Sequence, residues 1–478
     1  MRLIQLAGLF SAAASLQLPF SLDTHTENLL RPHYLSLLAN ELPIDLSPYA
    51  NDIVVRVAKT TEIVQQIRTH GHKIWALDAS AGTIDIQIHA DEAESFLAKN
   101  GVSAPQVIIK DLSQAVFETY PVNLRSSTYE AFAQLDVQDF SAVVSDEMTA
   151  QEKLRALSEV FFKQYRPLSS IGAWLELLAQ TYPDIITLET IGETYEGRPF
   201  QVVHLSVPDG DTSHEEKRTI VVTGGVHARE WISVSSVLYG IFEILNHFEL
   251  NPDEWQELAK LDFLFIPVLN PDGYEYTWTS DRLWRKNRQP AEGADEKSCR
   301  GIDIDHSYDF HWTPSSDSPC GEDYAGTYPF EAYELKVWDT YLNKTNEGHK
   351  IWGYIDLHSY SQEILFPYAF SCEQQPRDEE NLIELAYGIS KAIKLTSGRY
   401  YSVLPACIDR DSDLIPDMGS GSALDYMYHH KSYWAYQIKL RDNGSQGFLL
   451  PAKYIVPVGK EISAGLKVFC KFILSDDR

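Results

Sequence analysis

The stretch Thr219-Ile-Val-Val-Thr-Gly-Gly-Val-His227-Ala-Arg229-Glu230 decides how the rest of the chain is interpreted. Its first five residues are apolar or β-branched and predict a buried strand. The two glycines that follow mark a strand end at which the backbone turns tightly. We therefore expect His227 and Glu230 at the carboxyl end of a strand, where open α/β sheets bind their ligands. Imidazole and carboxylate groups suit zinc, but a catalytic zinc site needs three protein ligands and an open position.

A second strand-like run supplies a candidate for the third ligand. Lys350-Ile-Trp-Gly-Tyr-Ile-Asp-Leu-His358 is mainly apolar and also ends in a histidine. Two strands that each deliver a ligand from the same end form a metal site. The His-x-x-Glu pattern alone is weak evidence, because a histidine near a strand end is more often simply hydrogen-bonded. The second strand is what favours zinc.

The chain resembles the zinc metallocarboxypeptidases of the pancreatic A/B type. The resemblance extends from about Phe161 to the C-terminus and follows the family's order and approximate spacing. Beyond the three ligand candidates, the matching segments are Asn270-Pro-Asp-Gly-Tyr, Leu283-Trp-Arg285-Lys, Cys299 to Cys320, His358-Ser-Tyr360-Ser-Gln and Leu440-Arg-Asp with Gly447-Phe-Leu-Leu-Pro. The resemblance implies an α/β domain with a mixed, mostly parallel sheet flanked by helices, and one bound Zn²⁺.

The resemblance also implies a role for each matching site residue. His227, Glu230 and His358 would hold the zinc, which would lower the pKa of a water molecule and polarise the scissile carbonyl. Asp303 would orient His227 as an outer partner; the alternative is a solvated loop carboxylate, but its place in Gly301-Ile-Asp-Ile favours the first role. The positions that match substrate-binding residues, including the oxyanion-stabilising Arg285, are Arg229, Arg285, Asp305, His306, Ser359, Tyr360 and Leu424. Leu424 suggests an apolar pocket for the terminal residue.

Three site positions depart from the family pattern. Lys439 stands where the family has its general-base glutamate. An ammonium group cannot accept a proton, and losing a general base costs about 10²–10⁴ in rate. A neutral Lys439 acting as the base is the alternative, since burial near a cation lowers the pKa of a lysine. The Asn-Arg pair that clamps a terminal carboxylate is replaced by Asp305-His306, which would repel or grip it poorly.

These departures conserve charge. The family's Glu, Asn and Arg sum to zero, as do Lys439, Asp305 and a neutral His306. We hypothesise that Lys439 and Asp305 form an ion pair. The family's pocket-capping tyrosine has no counterpart in Ile415-Pro-Asp-Met.

The part of the chain before Phe161 predicts a second fold. Residues 50–112 alternate in the order β-α-β-β-α-β, which is typical of a ferredoxin-like α+β unit. In the family a unit of this order is a pro-domain that covers the active-site mouth; the alternative is an unrelated accessory domain. We assign the chain as follows: signal peptide 1–20, pro-domain 21–119 with its core at 50–112, linker 120–157, and carboxypeptidase-like domain 158–478. The linker is polar and shows no sustained periodicity.

The N-terminus predicts export. Met1-Arg2, the apolar run 3–10 and Ser11-Ala-Ala-Ala-Ser form the three parts of a secretory signal. We expect a secreted protein, with the vacuole as a second destination. Asn343-Lys-Thr is a glycosylation acceptor, predicted in a polar loop.

The five cysteines would then lie in an oxidising compartment. The resemblance implies a Cys299–Cys320 disulfide. Cys372–Cys407 is the second predicted pair, which leaves Cys470 buried in the last helix.

The formal net charge of the 478-residue chain is −28, which argues against nucleic acid and anionic membranes as partners. We expect a monomer whose partner is a peptide or protein C-terminus, or a cell-wall component. The last of these comes from a resemblance to fungal inactive metallocarboxypeptidase-like proteins, which share the Glu-to-Lys change and are implicated in cell-wall organisation. The expected function is a zinc-binding carboxypeptidase-like protein with little or no peptidase activity.

Two alternatives remain open. One is an active metallocarboxypeptidase that removes C-terminal residues from an unusual substrate. The other is a binding module whose zinc is purely structural. A structural zinc site has no open position, so the three evident ligands count against the second alternative.

Overall fold

The structure is a computed structural model and describes residues 44–78, 81–102, 105–121, 140, 142–207, 217–250, 259–291, 299–314, 319–348, 350–409 and 419–476. The predicted signal peptide, half of the predicted linker and the segment 415–418 lie outside these ranges.

The N-terminal unit has the predicted ferredoxin-like order. Its elements are β1 (Asp52–Ala58), α1 (Thr61–His70), β2 (Lys73–Asp78), β3 (Thr83–His89), α2 (Ala90–Lys99) and β4 (Gln106–Ile109). The four strands form an antiparallel sheet in the order β2-β3-β1-β4. Apolar residues of β1 and β3 bury against α1 and α2, giving this unit a core of its own.

The larger domain contains the remaining elements. After α3 (Leu112–Thr119) come α4 (Ala150–Phe161), α5 (Leu168–Thr181), β5 (Ile186–Glu193), β6 (Pro199–Ser206), β7 (Arg218–Thr223), α6 (Trp231–Leu250), β8 (Leu261–Ile266), α7 (Pro271–Thr279), α8 (Tyr333–Gly348), β9 (Ile351–Ser359), β10 (Glu363–Phe366), α9 (Glu379–Ser397), β11 (Ser402–Pro405), α10 (Ala423–Tyr426), β12 (Trp434–Leu440) and α11 (Ile455–Ser475). The predicted strands at 219–223, 262–268, 351–357 and 434–440 are all present.

One eight-stranded sheet organises this domain, in the order β11-β10-β12-β9-β7-β8-β6-β5. The neighbours β7–β8, β7–β9, β9–β12 and β10–β11 are parallel, while β5–β6, β6–β8 and β10–β12 are antiparallel. The prediction of a mixed, mostly parallel α/β sheet is confirmed. All residues of β9 are buried, as expected for a strand covered by helices on both faces.

The central parallel strands end together, and that edge carries the predicted site. In the register of β9 and β12, Lys439 lies beside His358, and in the register of β10 and β12 it lies opposite Glu363. Paired residues on neighbouring strands point to the same face of a sheet. His358, Lys439 and Glu363 are therefore neighbours on one face.

Two sequence predictions need correction. Residues 150–157, assigned to the linker, are helical in α4, which begins with a capping box between Thr149 and Glu152. Asn343 lies within helix α8, where its amide donates to Asp339 over 2.9 Å, so the predicted polar loop is wrong. Its side chain is exposed, and glycosylation stays a prediction.

The cysteine predictions are confirmed. Cys299 pairs with Cys320, Cys372 pairs with Cys407, and Cys470 is a free buried thiol in α11.

Candidate metal and substrate site

His227 and Glu230 lie in the connection between β7 and α6, as the sequence predicts. Gly225 has φ of 62°, and a Cβ there would lie 3.1 Å from the Cα of Val268, so only glycine fits this turn. The Gly225 amide donates to the Ser233 hydroxyl over 3.0 Å, which ties the turn to the first turn of α6.

Asn270 and Arg285 form hydrogen bonds with the same connection between β7 and α6. The Asn270 amide donates to the Val226 carbonyl over 3.1 Å. The Ala228 amide donates to the Arg285 carbonyl over 2.9 Å. Both residues belong to motifs that carry the family resemblance, and they fix the backbone on either side of His227.

The three predicted ligands converge. His227 Nδ1 lies 2.9 Å from Glu230 Oε1, His358 Nδ1 lies 3.2 Å from His227 Nδ1, and it lies 3.3 Å from Glu230 Oε2. Atoms that ligate a tetrahedral Zn²⁺ at its usual distances lie roughly 3.3 Å apart. All three residues are buried. The donor set and its spacing therefore fit one zinc ion.

Each ligand is held by an outer partner. His227 Nε2 lies 3.2 Å from Asp303 Oδ1, and His358 Nε2 lies 3.0 Å from Asp356 Oδ2, so both rings turn Nδ1 toward the centre. The Ser359 amide donates to Glu230 Oε2 over 2.8 Å. Carboxylates behind metal-binding histidines fix the ring orientation and raise its basicity. The predicted role of Asp303 agrees with this geometry.

The charges in this cluster stabilise one another. Burial would raise the pKa of Glu230, but His227 and His358 hold that pKa well below its ordinary value. Burial would likewise raise the pKa of Asp303, but Arg285 and His227 keep it well below the usual range. Burial opposes a charge on His358, yet Asp356 and Glu230 raise its pKa well above that of a free imidazole. The carboxylates of Glu230, Asp303 and Asp356 therefore favour a positive charge between them.

Lys439 has a different ion-pair partner from the one predicted. Its Nζ lies 3.4 Å from Oε2 of Glu363, a buried carboxylate on the neighbouring strand. Asp305 accepts instead from the Gln437 amide over 3.3 Å, and its other oxygen has no hydrogen-bond partner among the described residues. The predicted Lys439–Asp305 pair is wrong, because strand register places a carboxylate directly opposite the lysine.

Asp305 and His306 lie in a short 3₁₀ turn that Asp303 caps by accepting from the Asp305 amide over 3.3 Å. Asp305 is buried, and His306 is partly exposed with Nδ1 3.2 Å from the Ser420 carbonyl. An anion and an imidazole thus occupy the place of the family's carboxylate clamp.

Two of the remaining predicted substrate positions, Arg285 and Arg229, are engaged in ion pairs within the protein. Arg285 donates to Asp303 over 2.7 Å, and Arg229 donates to Glu322 over 3.0 Å. Leu424 is buried in α10, and the Ser359 hydroxyl has no hydrogen-bond partner in the described part of the chain. The contacts with Asp303 and Glu230 place Arg285 and Ser359 beside the metal ligands, while the roles of these positions in binding substrate stay predictions.

The N-terminal unit contacts this mouth through Tyr360. The Tyr360 hydroxyl donates to Asp85 of β3 over 2.7 Å, and Arg56 of β1 donates to the same carboxylate over 2.7 Å. A second Arg56 nitrogen donates to the Asn443 carbonyl over 3.0 Å. The ring centroid of Trp75 in β2 lies 5.3 Å from that of Phe448.

Sequence reasoning missed Asp356, Glu363 and Gln437. The strand period of two places Asp356 on the face of His358, and Gln437 on the face of Lys439. Glu363 follows the His358 motif and opens an apolar strand, where a charge is unusual. These signals could have found all three residues.

Comparisons with known proteins agree with this geometry. A family model described as "Zinc carboxypeptidase" matches residues 171–465. The inactive metallocarboxypeptidase ECM14 of Saccharomyces cerevisiae is 46% identical over 409 residues, covering 86% of this chain and 87% of the relative. The inactive metallocarboxypeptidase ecm14 of Sclerotinia sclerotiorum is 36% identical over 455 residues, covering 90% of this chain and 74% of the relative.

Among solved structures, thrombin activatable fibrinolysis inhibitor matches with a TM-score of 0.71 and 26% identity, covering 89% of this chain and 99% of that chain. Carboxypeptidase A from Helicoverpa armigera has the same fold, with a TM-score of 0.69 and 22% identity over 90% of this chain and 99% of that one. The chain therefore belongs to the zinc carboxypeptidase family, and its relatives include proteins named as inactive members. In the described part of the chain, no helix has both the length and the apolar character needed to cross a membrane.

Proposed function

We propose that this protein binds one Zn²⁺ through His227, Glu230 and His358 and has no carboxypeptidase activity. When bound, zinc supplies Lewis-acid chemistry to a peptide carbonyl. The protein must then supply a base for the attacking water and an acid for the leaving amine. Lys439, held beside His358 and opposite Glu363, cannot supply the base while it carries a proton. This placement is the observation that carries the proposal.

The altered clamp supports the same conclusion. A terminal carboxylate entering the mouth would meet the buried Asp305 and the imidazole of His306 in place of a guanidinium. Two like charges in a buried site repel strongly because little solvent screens them. An ordinary peptide substrate is therefore both poorly bound and poorly attacked.

The names of the relatives support the proposal, since several are called inactive metallocarboxypeptidases. We extend to this chain the secreted or vacuolar location that the N-terminal sequence predicts. We extend to it also the role in fungal cell-wall organisation that the resemblance implies, with a peptide, a protein C-terminus or a cell-wall component as its ligand.

The test is restoration of activity. The full-length protein is loaded with zinc, its linker is cleaved, and the N-terminal fragment is washed away at a concentration low enough for it to dissociate. The remaining protein is incubated with peptides of varied C-terminal residue, and the products are weighed by mass spectrometry. Lys439→Glu alone would place a second carboxylate beside Glu363. The informative variant therefore combines Lys439→Glu and Glu363→Gln with Asp305→Asn and His306→Arg. We expect no trimming by the native protein and trimming of apolar ends by the four-fold variant, with a rate gain of about 10²–10⁴ from the base.

The matched control is Lys453→Glu, the same charge change at an exposed residue of the turn that precedes α11. It should leave the native protein inactive. Trimming by the native protein that a chelator abolishes would overturn the proposal in favour of an active enzyme with an unusual substrate.

A further inference from the structure

Asp305 carries a buried charge that lacks adequate compensation within the described protein. It is 3% exposed, and its Oδ1 has no hydrogen-bond partner among the described residues. Its Oδ2 accepts one bond from Gln437 over 3.3 Å and lies 3.9 Å from His306 Nε2. A buried carboxylate normally has several donors or a cation beside it, because its desolvation is costly. In the described part of the chain, the Asp305 carboxylate thus has one hydrogen bond and one imidazole 3.9 Å away to offset its charge.

The Asp305 carboxylate lies close to both predicted metal-binding histidines. One ligand atom from each of His227, Asp305 and His358 lies within 4.8 Å of the other two. The oxygens of Glu230 lie 2.9 and 3.3 Å from the two Nδ1 atoms of the same histidines. Asp305 and Glu230 thus both lie beside the same two histidines. The 4.8 Å limit is wider than the roughly 3.3 Å edge of a tetrahedral zinc site, so ligation requires Asp305 to turn toward the ion, and Oδ1 has no protein hydrogen bond to break.

The charges of the site favour the same assignment. Lys439 puts a cation next to His358, and Glu363 faces that lysine. Asp303 is shared between Arg285 and His227. Zn²⁺ with Glu230 alone would leave a net positive centre beside Lys439. Adding Asp305 makes the ion and its ligands neutral, which removes the repulsion between the two cations.

We propose that Asp305 is the fourth protein ligand of the metal, so that its coordination is complete without substrate. The inference rests on the proposed function, because it assumes that His227, Glu230 and His358 bind the ion. It changes the kind of site: catalytic zinc keeps one open position, whereas structural zinc has four protein ligands. Asp305, at the position of the family's substrate clamp, would then occupy the open coordination position of the metal and block the binding of a substrate carboxylate.

The experiment loads the metal-depleted full-length protein with Co²⁺, whose visible absorption reports its coordination. We expect one Co²⁺ per chain, an intense four-coordinate spectrum, and no spectral change when azide is added, because no position is open to it. Asp305→Asn keeps the shape of the side chain and removes the ligand charge. We expect it to weaken Co²⁺ binding by about 100-fold or more, beyond the usual loss of an outer partner, and to make the spectrum respond to azide.

The matched control is Glu363→Gln, which removes another buried carboxylate near the site without removing a proposed ligand. It should weaken Co²⁺ binding by less than about tenfold and leave the spectrum insensitive to azide. The azide response of the native protein does not depend on whether either variant folds.

Three results would overturn the inference. An azide-sensitive spectrum in the native protein means that the metal has an open position and three protein ligands, which leaves the proposed function intact. An unchanged affinity in Asp305→Asn means that another group completes the coordination. Failure of the native protein to bind Co²⁺ or Zn²⁺ stoichiometrically would overturn the inference together with the proposed zinc site.

Discussion

At the scale of single residues, the carboxylates behind the histidines decide how well the site can hold a metal. Asp356 contacts His358 Nε2 over 3.0 Å and accepts from the Thr223 hydroxyl over 2.6 Å. The threonine fixes the carboxylate, and the carboxylate fixes the ring. Metal affinity should therefore depend on a residue that touches no metal.

Asp356→Asn should weaken zinc binding by about 10- to 100-fold, because an amide does not hold the imidazole in its basic, oriented form. Competition against a chelator of known affinity measures the change. Asp262→Asn is the matched control, since Asp262 is a buried carboxylate opposite Thr219, at the other end of the parallel strands. Equal losses in both variants would mean that the effect is one of general stability.

The Lys439–Glu363 ion pair should contribute a measurable interaction free energy to the stability of the fold. Glu363→Gln leaves the lysine beside His358 without its facing carboxylate, and Lys439→Met leaves a carboxylate that is 2% exposed next to an apolar side chain. Each should lower the free energy of unfolding. The double variant should lose less than the sum of the two, by about 0.5–3 kcal/mol.

Urea unfolding of the metal-depleted protein measures this cycle. Lys439→Met combined with Asp262→Asn is the control pair, because the two residues lie at opposite ends of the sheet. Their effects should add. Additivity in the Lys439–Glu363 cycle would show that the pair contributes nothing.

The residue-scale predictions from sequence succeeded where a motif fixes the geometry. His227, Glu230 and Asp303 belong to short local patterns, and they lie where these patterns place them. The partner of Lys439 was mispredicted because it depends on the pairing of β10 with β12, segments far apart in the chain. Charge balance alone could not choose between Asp305 and Glu363.

At the scale of elements, hydrophobic periodicity predicted the four strands β7, β8, β9 and β12 of the large sheet and missed helix α4. β9 and β12 are continuous buried runs, so their location was evident. Helix α4 was assigned to a polar linker although Thr149 and Glu152 form a capping box and its apolar residues bury one face. The polar face of an amphipathic helix concealed its periodicity.

Helix α11 gives a prediction about Cys470. Burial raises the pKa of this thiol to about 12, so it stays protonated at neutral pH, and the thiolate is the reactive form. A thiol reagent should therefore not react with the native protein. In denaturant it should label one thiol per chain, because the other four cysteines are paired. Rapid labelling of the native protein, or more than one reactive thiol after unfolding, would contradict this picture.

At the scale of the whole molecule, the N-terminal part of the chain contacts the larger domain at two places. One is the mouth of the metal site, where Asp85 joins Arg56 to Tyr360. The other is Tyr120, just after α3, whose ring packs edge-on against Trp231 and Trp278. The ferredoxin-like order of this unit was predictable from sequence. Its anchoring was not, because Tyr120 lies outside any periodic segment.

Tyr120 is the better place to test this attachment, because it is 1% exposed and its hydroxyl donates to the Thr277 carbonyl over 2.6 Å. A specific protease site inserted between residues 125 and 135 separates Tyr120 from the zinc domain in sequence. After cleavage of the otherwise native protein, we expect both fragments to elute together in gel filtration at micromolar concentration. The N-terminal unit would then still cover the mouth.

Tyr120→Ala should release the N-terminal fragment, because losing a buried aromatic ring costs about 3–5 kcal/mol, or roughly 100- to 4000-fold in affinity. Tyr120→Phe keeps the ring contacts and loses one hydrogen bond, a cost of about 1–3 kcal/mol, so it should weaken retention far less. Release of the native fragment would show that covalent linkage alone keeps the mouth covered. Retention in Tyr120→Ala would instead assign the attachment to Asp85 and its partners, and an Asp85→Ala variant of the cut protein would then have to release the fragment.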